Sequence, residues 1–466
     1  MSSLKSTTPS SYSPDTEKTG CDLESTTIAV MEDEKSNHIN PLTWKKSKKM
    51  RILFMVALVG FLGPLASAIY LPALVDVRIA LNTDISTINA TVSCYMLFSG
   101  LGPLFWAPVS ERHGRRIVYL LSIVLFAIAS VLCAISKNII MFIVMRILQS
   151  SGSSAAMVVG AGSISDLFEL QERGTAMGLF FVGPLVGPIV GSMVGGMINE
   201  YLGWEWIFWC LTILSGAILV ASFFFLPETY PAKLNNLKQS EDKSQFPNPF
   251  KPLYYLRYPA VLMITIYPGI IFGILFLLLT LLSETYTTNY DLSSSQVGFC
   301  YGVEGAGSVL GTIFGGVYTD YTLRKQMKAH GGVHKPEMRL HALWIGSFLV
   351  PAGCFIYGWL LHVDSHFVLP LIGHFLFGFG VNIIIATSNT YLVDAFPEYS
   401  ASISSCANFV RNLFATLTPL FAPIMRENLG DGWMMTIWGI ITGVSVILPI
   451  LVLYRGERWR DSAYKK

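Results

Sequence analysis

The sequence predicts an all-α membrane protein in which twelve transmembrane helices form two pseudo-symmetric halves of six. Three observations support this prediction: 52% of the 466 residues are hydrophobic, only 13% are charged, and the apolar residues fall into long continuous runs. Soluble proteins average about 25% charged residues, and half that charge would leave large apolar patches in contact with water. Because the runs do not alternate between apolar and polar residues, they do not fit β-barrel spans.

The chain begins with a polar segment, residues 1–49, that is rich in Ser, Thr, Glu, Asp and Lys. Such a composition cannot bury enough apolar surface to offset the entropy of the chain, so we predict a disordered tail. A cleavable signal peptide would place a basic patch and an apolar core near Met1, and neither is present. The first hydrophobic run, from about Met50, is therefore predicted to be a retained transmembrane helix.

Twelve apolar runs are long enough to cross a bilayer, which takes about 20 residues. They form two sets of six, at 50–227 and 258–454, and a short polar tail follows at 455–466. The longest internal polar stretch, about 228–257, separates the sets and contains the segment Gln239–Gln245, so we predict a solvated linker. The runs lie near 51–74, 87–109, 117–135, 139–163, 174–198, 204–226, 258–282, 295–318, 341–361, 367–392, 400–424 and 432–454.

The distribution of basic residues predicts the orientation in the membrane. If the N-terminus lies in the cytoplasm, most of the 32 Lys and Arg residues fall in cytoplasmic tails and loops. Only Arg78, Lys137 and Arg426 then lie outside, and Arg146 and Arg411 lie within spans. We therefore expect both termini to be cytoplasmic.

Metal, cofactor and enzyme chemistry are not indicated. Most of the seven cysteines lie within apolar runs as small buried residues. Two histidine pairs, His330/His334 and His362/His366, have helical i, i+4 spacing, but no third strong ligand accompanies them, so we predict no metal site. The chain has no P-loop and no nucleophile elbow. The net charge of +2 does not favour nucleic-acid binding. We therefore expect no cofactor, and we expect transport to be driven by an ion gradient or by the substrate's own gradient.

The segments that follow the second and eighth runs repeat a charge pattern, as expected of a transporter built from duplicated halves. Aligned without a gap, both place an acidic residue four positions before a basic pair, so Glu111 corresponds to Asp320, Arg115 to Arg324 and Arg116 to Lys325. The first reads Ala107-Pro-Val-Ser-Glu111-Arg112-His-Gly114-Arg115-Arg116. The second reads Gly316-Val-Tyr-Thr-Asp320-Tyr-Thr-Leu-Arg324-Lys325.

At these residues the chain resembles the major facilitator superfamily. The first segment is similar to its G-x-x-x-D-R-x-G-R-R signature, with Ala107 and Glu111 in place of the glycine and the aspartate. The resemblance implies the major facilitator fold, with a central cavity that opens alternately to each side. It also implies a gating latch of charged residues at the cytoplasmic helix ends. The implied latch residues are Glu111, Arg112, Gly114, Arg115, Arg116, Asp166, Asp320 and Arg324.

The fifth run is similar to the proton-antiporter signature of the superfamily, with Ser192 replacing its last glycine. Glycine allows helices to approach closely, and proline bends a helix by removing a hydrogen bond. The resemblance implies proton antiport, whereas a glycine-rich packing face is the alternative interpretation. The matching residues are Gly174, Gly183, Gly187, Pro188 and Gly191.

Three further segments look like the fungal twelve-span drug:proton antiporters, and in particular like the branch of quinidine, dityrosine and organic-acid exporters. They are Leu226–Tyr230, Pro336–Leu340 and Tyr391–Phe396. The chain departs from this family at Glu205, where arginine is common. The resemblance implies a multidrug-resistance efflux pump of the plasma membrane that exports small organic molecules in exchange for protons, and we expect a monomer.

Charges inside the spans mark the candidate pathway, because each costs at least about 2.5–3.5 kcal/mol. Glu304 and Arg411 enter their spans to similar depths, and Arg146 is followed by Gln149 in an R-x-x-Q pattern similar to the fourth-helix motif of the family. Glu304 has two interpretations: it carries the transported proton, or it pairs with Arg411. Further polar or aromatic residues could line the pathway or make helix-packing hydrogen bonds. They are Tyr70, Asn89, Tyr95, Asn382 and Asn389.

These features favour proton-coupled export of small organic molecules. Because Arg146 and Arg411 give the expected cavity an excess of positive charge, an exporter of carboxylic acids such as citrate-like anions remains the alternative, with or without proton coupling. A non-transporting sensor is less favoured, because only about a dozen residues follow the last span.

Overall fold

The computed structural model of the protein describes residues 40–234, 250–332, 335–396 and 400–464. Within these ranges the chain is almost entirely helical and contains no strand. Most of the predicted disordered tail lies outside the described residues, as do the linker segment Gln239–Gln245 and His334.

The first half consists of six long helices joined by short connections. They are α1 (Lys46–Ala68), α2 (Ile85–His113), α3 (Arg115–Ala134), α4 (Ile139–Leu167), α5 (Leu170–Leu202) and α6 (Trp204–Phe225). A short helix, Leu74–Ala80, follows α1, and another, Pro231–Leu234, follows α6.

The second half begins after a 3-10 helix, Lys251–Arg257. Its helices are α7 (Pro259–Tyr290), α8 (Ser294–Ala329), α9 (Leu343–His362), α10 (Val368–Ala395), α11 (400–429) and α12 (431–445, continued by Ile447–Tyr464). A second 3-10 helix, Pro336–Ala342, lies between α8 and α9.

Eleven helical stretches in the described ranges are long and apolar enough to cross a bilayer. The last of them covers 59 residues, or about 88 Å at 1.5 Å per residue, which is far longer than the roughly 30 Å of one hydrocarbon crossing. Gly430 interrupts it with φ 72° and ψ 168°, a conformation that favours glycine and breaks the helix. The stretch therefore provides α11 and α12, and the predicted class of twelve helices in two halves is confirmed.

Several helix ends differ from the apolar runs. The first helix begins at Lys46 rather than at about Met50, so residues 46–49 are helical and not part of a disordered tail. The ammonium group of Lys49 donates a 2.7 Å hydrogen bond to the Leu42 carbonyl, and that of Lys48 lies 3.4 Å from the ring centre of Trp44. These contacts order the residues just before the span. Similarly, α5 and α8 continue well beyond their apolar runs.

Successive helices reverse direction, so their ends lie on two faces. We call the face that carries the start of α1, the α2–α3 turn, the segment between the halves and the end of α12 the tail face. The other face, which carries the turns at 80–85, 135–138, 291–293 and 363–367, is called the opposite face. Side-chain caps begin several helices there. Asp84 accepts from Thr87 at the start of α2, and these bonds hold the pKa of its carboxyl below the usual value.

The two halves meet along two pairs of helices, α5 with α8 and α2 with α11. The backbones approach so closely that a side chain would not fit. A Cβ atom at Gly298 of α8 would lie 2.6 Å from the carbonyl oxygen of Ser192 in α5, and one at Gly100 of α2 would lie 2.7 Å from the Asn412 side chain in α11. The candidate pathway runs between these contacts.

Candidate functional site

Arg146 lies on α4 in the core of the first half, with 0% of its surface exposed. Its Nη1 donates to the Ala66 carbonyl at 3.1 Å and to Gln149 Oε1 at 2.8 Å. The guanidinium lies 4.3 Å from the ring centre of Tyr95 and 4.7 Å from that of Tyr70, in reach of both aromatic faces. Among the described residues no carboxylate pairs with it, and its Nε and Nη2 have no hydrogen-bond partner.

Four predicted pathway residues thus form one cluster: Arg146, Gln149, Tyr70 and Tyr95. Hydrogen bonds fix their side chains. Gln149 Nε2 donates to a serine hydroxyl of α3 at 2.8 Å, and Tyr95 donates to the Gly63 carbonyl of α1 at 2.9 Å. All four side chains are buried, so the cluster joins α1, α2, α3 and α4 inside the first half.

Glu304 lies on α8 in the second half and is only 6% exposed. Its Oε1 accepts a 2.5 Å hydrogen bond from the Ser308 hydroxyl, which in turn accepts from Asn382 Nδ2 at 2.7 Å. Thr312 donates to Asn382 Oδ1 at 3.3 Å. The Glu304 carboxylate packs on α10 at Gly378, where a Cβ atom would lie 2.9 Å from Oε1. A polar chain therefore extends from Glu304 towards the tail face.

The predicted pair between Glu304 and Arg411 is wrong. Arg411 Nη2 instead donates to Asn408 Oδ1 at 3.1 Å, and its guanidinium lies 5.8 Å from the Phe272 ring centre. The reason is the packing: α8 lies against α10 and α5, whereas α11 lies against α7 and α2. Within the described part of the chain, neither Glu304 nor Arg411 belongs to an ion pair. Equal depth in the membrane did not imply contact.

The remaining predicted pathway residues join neither cluster. Asn89 is buried in α2, and its Nδ2 has no hydrogen-bond partner within the described ranges. Asn389 is half-buried on α10, two helical turns beyond Asn382 towards the tail face. The two halves therefore contain oppositely charged buried groups, a cation in the first and a carboxylate in the second.

Arg115, Arg116 and Asp166 of the predicted latch bond to residues of the first half and of the segment that follows α6. Arg115 forms a 3.2 Å ion pair with Asp166 at the end of α4. Glu228, which sequence reasoning did not assign to the latch, accepts from the backbone nitrogens of Arg115 at 2.8 Å and Arg116 at 3.2 Å. Gly114 makes the tight α2–α3 turn with φ 94°. Glu111 and Arg112 are exposed at the end of α2.

In the second half the equivalent cation is Arg339 and not Arg324. Arg339 Nη1 lies 2.7 Å from Asp320 Oδ1, and its Nε lies 2.5 Å from Asp394 Oδ2. Because α8 continues to Ala329, Arg324 stays on an exposed helical surface, and the chain returns to Asp320 only at the 3-10 helix before α9. The ungapped alignment that paired Arg115 with Arg324 was therefore misleading. The only sign of Asp394 in the sequence was its place in Tyr391–Phe396, one of the segments that carry the family resemblance.

The predicted antiporter residues build the contact between α5 and α1. A Cβ atom at Gly183, Gly187 or Gly191 would lie within 3.0 Å of the α1 backbone, so glycine is required for this approach. Pro188 lies inside α5, and Gly174 lies at its tail-face end with no atom in van der Waals range of a Cβ position. Close packing against α1 therefore explains why Gly183, Gly187 and Gly191 are glycines.

Polar bonds join the two halves at the opposite face. Asp76, after α1, accepts from Asn199 at the end of α5 and from the Ser294 hydroxyl at the start of α8, the latter at 3.2 Å. Asn199 also donates to Ser294 at 2.9 Å. Nearby, Arg78 lies 3.4 Å from Glu284 of α7. These contacts close the opposite face, and we refer to Asp76, Asn199 and Ser294 as the opposite-face gate.

Sequence reasoning did not predict the gate, because polar residues at the ends of spans are ordinarily exposed loop residues. Of the two predicted histidine pairs, His362/His366 lies wholly within the described residues, whereas His330/His334 does not. His362 and His366 are exposed near the α9–α10 turn, and no group of three or more His, Cys, Asp or Glu residues suited to a metal occurs in the part of the chain that the structure describes.

Comparison with known proteins agrees with the fold. Residues 56–419 match the family model described as Major Facilitator Superfamily. The MFS-type transporter penM of Penicillium rubens is 34% identical over 91% of this chain and 87% of that protein. The efflux pump radE of Floropilus chiversii is 33% identical over 91% of this chain and 83% of that protein.

Solved structures share the architecture at low identity. A bacterial homologue of the human lysosomal transporter Spinster, in an inward-facing and unoccupied conformation, aligns with a TM-score of 0.67 at 13% identity, over 90% of this chain and 99% of that one. A D-xylose-proton symporter aligns with a TM-score of 0.68 at 15% identity, over 86% of this chain and 97% of that one. The family match, the fungal relatives and the twelve-helix fold together place this chain in the major facilitator superfamily, as a multi-pass membrane transporter and not an enzyme.

Proposed function

We propose that the protein exports small organic molecules in exchange for protons, by alternating access across the plasma membrane of a fungal cell. The observation that carries this proposal is Glu304, a buried carboxylate in the second half with no cation in ion-pair range among the described residues. The tail face is assigned to the cytoplasm on the distribution of Lys and Arg. A relative named as an efflux pump supports the direction of transport.

Glu304 suits proton carriage because its charge is not tied to a neighbouring cation. A carboxyl group paired with arginine would have to break that pair each time it bound a proton. Among the described residues, Glu304 has only the Ser308 hydroxyl as a bonded partner, and a hydroxyl can donate to the carboxylate or accept from the neutral acid. The conformational cycle would connect Glu304 to the two sides of the membrane in turn, so proton binding and release follow that cycle.

Carboxylic acids are the alternative substrate class, and Arg411 is the observation that favours it. Arg411 is half-buried on α11, bonds to the neutral Asn408, and forms no ion pair within the described ranges. A carboxylate on a substrate would provide the missing counter-charge through a charge-assisted hydrogen bond. The Phe272 ring, whose centre lies 5.8 Å from the guanidinium, adds an aromatic surface beside this charge.

The test is efflux from proteoliposomes with and without an imposed pH gradient, using ethidium as an organic cation and radiolabelled citrate as a tricarboxylate. For the probe that the wild type transports, the gradient should accelerate efflux. Glu304→Gln should lose this acceleration, whereas Glu427→Gln, the same change at an exposed position of α11, should keep it. Full gradient-driven efflux in Glu304→Gln would disprove the proton-carrier role.

The same assay separates the substrate classes. Competition by di- and tricarboxylates, together with a raised KM for citrate in Arg411→Gln, would establish the carboxylic-acid exporter. Competition by cationic drugs alone would establish the drug pump. Loss of transport in Arg146→Ala with unchanged coupling in Glu304→Gln would make the arginine the coupling centre instead.

A further inference from the structure

Several buried or half-buried polar side chains near the opposite face of the second half have no hydrogen-bond partner among the described residues, and two of them, His374 and Tyr357, are adjacent. His374 of α10 is 0% exposed, and neither Nδ1 nor Nε2 has a hydrogen-bond partner in the described ranges. The hydroxyl of Tyr357 on α9 is likewise buried without a partner there. The two rings lie side by side, with centroids 5.5 Å apart. Buried polar groups are ordinarily bonded to protein or to internal water, so this pair requires an explanation.

The position of His374 links the pair to Glu304. Helix α10 begins at the opposite face with Val368, so His374 lies six residues in, or about 9 Å from that face. Gly378, which packs against the Glu304 carboxylate, lies one helical turn deeper. His374 and Tyr357 therefore occupy the interior of the second half between Glu304 and the opposite face.

The polar groups on the two sides of Glu304 differ. Towards the tail face, Ser308, Asn382 and Thr312 form a continuous chain of hydrogen bonds. Towards the opposite face, the donors and acceptors of His374 and Tyr357 are unused within the described residues. Meanwhile the route between the halves is closed at that face by the opposite-face gate. For a proton that comes from this side, His374 and Tyr357 offer polar side chains on the way through the second half to Glu304.

We propose that protons reach Glu304 from the opposite face through the interior of the second half, along a path of bound water held by Tyr357 and His374. This inference rests on the proposed function, since it supplies the proton that Glu304 carries. A neutral imidazole has one donor and one acceptor, which is enough to hold a water on each side. The proton passes from water to water and onto the Glu304 carboxylate, which becomes the neutral acid. The water at the outer end of the path then takes up a proton from the solution at the opposite face.

His374 acts here as a positioning residue and stays neutral. The proton route is thereby separate from the substrate route, which lies between the halves. Several other ionisable groups lie on the helices around this path. They are Tyr286 and Tyr290 of α7, Cys300 and Tyr301 of α8, and the ion pair of Arg426 with Asp431 at the α11–α12 turn.

The first test asks whether water reaches His374 in the wild-type protein. Transfer into D2O, followed by NMR of protein labelled with 15N-histidine, measures how fast the imidazole N–H hydrogen of each histidine exchanges with water. The exposed His362 and His366 are internal controls. We expect the His374 N–H hydrogen to be lost within the dead time of the experiment, as those of His362 and His366 are. A His374 N–H hydrogen that persists for hours would overturn the proposed path.

The second test compares His374→Asn, which keeps a donor and an acceptor, with His374→Phe, which keeps neither. Gradient-driven efflux of the transported probe, ethidium or citrate, should fall at least about tenfold in His374→Phe and be largely restored in His374→Asn. Substrate counterflow, which needs no net proton movement, should fall much less in both. His366→Phe, the same substitution at an exposed histidine, is the matched control.

The outcomes separate this inference from the proposed function. If Glu304→Gln loses coupling while His374→Phe behaves as wild type, protons take another route and this inference is wrong. If His374→Phe and His374→Asn slow counterflow and gradient-driven efflux equally, His374 is only structural and the inference is also wrong. If Glu304→Gln keeps full coupling, the proton-carrier role fails, whatever the deuterium exchange at His374 shows.

Discussion

The two halves share a fold but differ in the charge that they bury. The first half encloses Arg146 between aromatic rings and carbonyl groups, and the second half encloses Glu304 beside hydroxyl and amide groups. The latches at the tail face, in contrast, contain the same kind of ion pair in both halves: Arg115 with Asp166 in the first and Arg339 with Asp320 in the second. Duplication thus preserved the contacts that hold helix ends together, while the interiors took different tasks. We infer a structural cation in one half and a titrating carboxylate in the other.

The largest effect is expected at Arg146. Replacing it by alanine removes a large buried side chain from between Tyr70 and Tyr95 and leaves Gln149 without its partner. We expect a loss of about 3–5 kcal/mol in the free energy of unfolding, measured by denaturation in detergent, together with loss of all transport. Glu304→Gln, which keeps the shape of its side chain, should unfold like the wild type. A normally stable Arg146→Ala that still transports would contradict the contrast between the halves.

The next effect concerns the latches. Arg339 bonds two carboxylates and Arg115 bonds one, so Arg339→Ala leaves more unpaired charge. We expect Arg339→Ala to lower the free energy of unfolding by about 1–2 kcal/mol and Arg115→Ala by less, as measured by the same denaturation assay. Equal or reversed losses would show that Asp320 and Asp394 do not act together on Arg339.

A smaller effect is expected at the opposite-face gate. Asp76→Ala removes the acceptor shared by Asn199 and Ser294, which lie in different halves. We expect Asp76→Ala to shift the conformational equilibrium by about 1 kcal/mol towards states that are open at the opposite face. This is roughly a fivefold change in the ratio of open to closed states. Spin labels at the exposed residues Ile79 and Asn289, in a background without native cysteines, would report this as a longer distance. Asp84→Asn, a helix cap on the same face, should leave the distance unchanged, and a lengthening there would argue against a specific gate.

The smallest effect is expected at Arg324. It is exposed on α8 and replaced in the latch by Arg339, so Arg324→Ala should change the free energy of unfolding by less than about 0.5 kcal/mol. A loss as large as that of Arg339→Ala would restore the equivalence of Arg324 with Arg115 that the sequence repeat suggested.

The sequence was sufficient for the fold because continuous apolar runs of membrane length have few other structural solutions. It was less reliable at helix ends, since polar residues such as Lys46 or Arg324 can continue a helix beyond the apolar core. Because charged residues are rare inside the spans, the sequence also identified Arg146, Glu304 and Arg411 as unusual residues.

The sequence could not predict which residues that are far apart in the chain are in contact. Depth along a helix fixes only one coordinate, so Glu304 and Arg411 looked like partners although their helices pack elsewhere. The repeat placed Arg324 opposite Arg115 because an ungapped alignment cannot register the extra length of α8. In the sequence, His374 is one of several polar residues in an apolar run. Only the lack of hydrogen-bond partners among the described residues distinguishes it.

The most direct test of proton carriage by Glu304 is the ratio of gradient-driven efflux to counterflow in proteoliposomes that contain either the wild type or Glu304→Gln. If Glu304 carries the proton, the pH gradient accelerates efflux by the wild type and has no effect on Glu304→Gln, while counterflow persists in both. An unchanged ratio in Glu304→Gln would show that the buried carboxylate of the second half is structural, and would contradict the division of tasks between the halves.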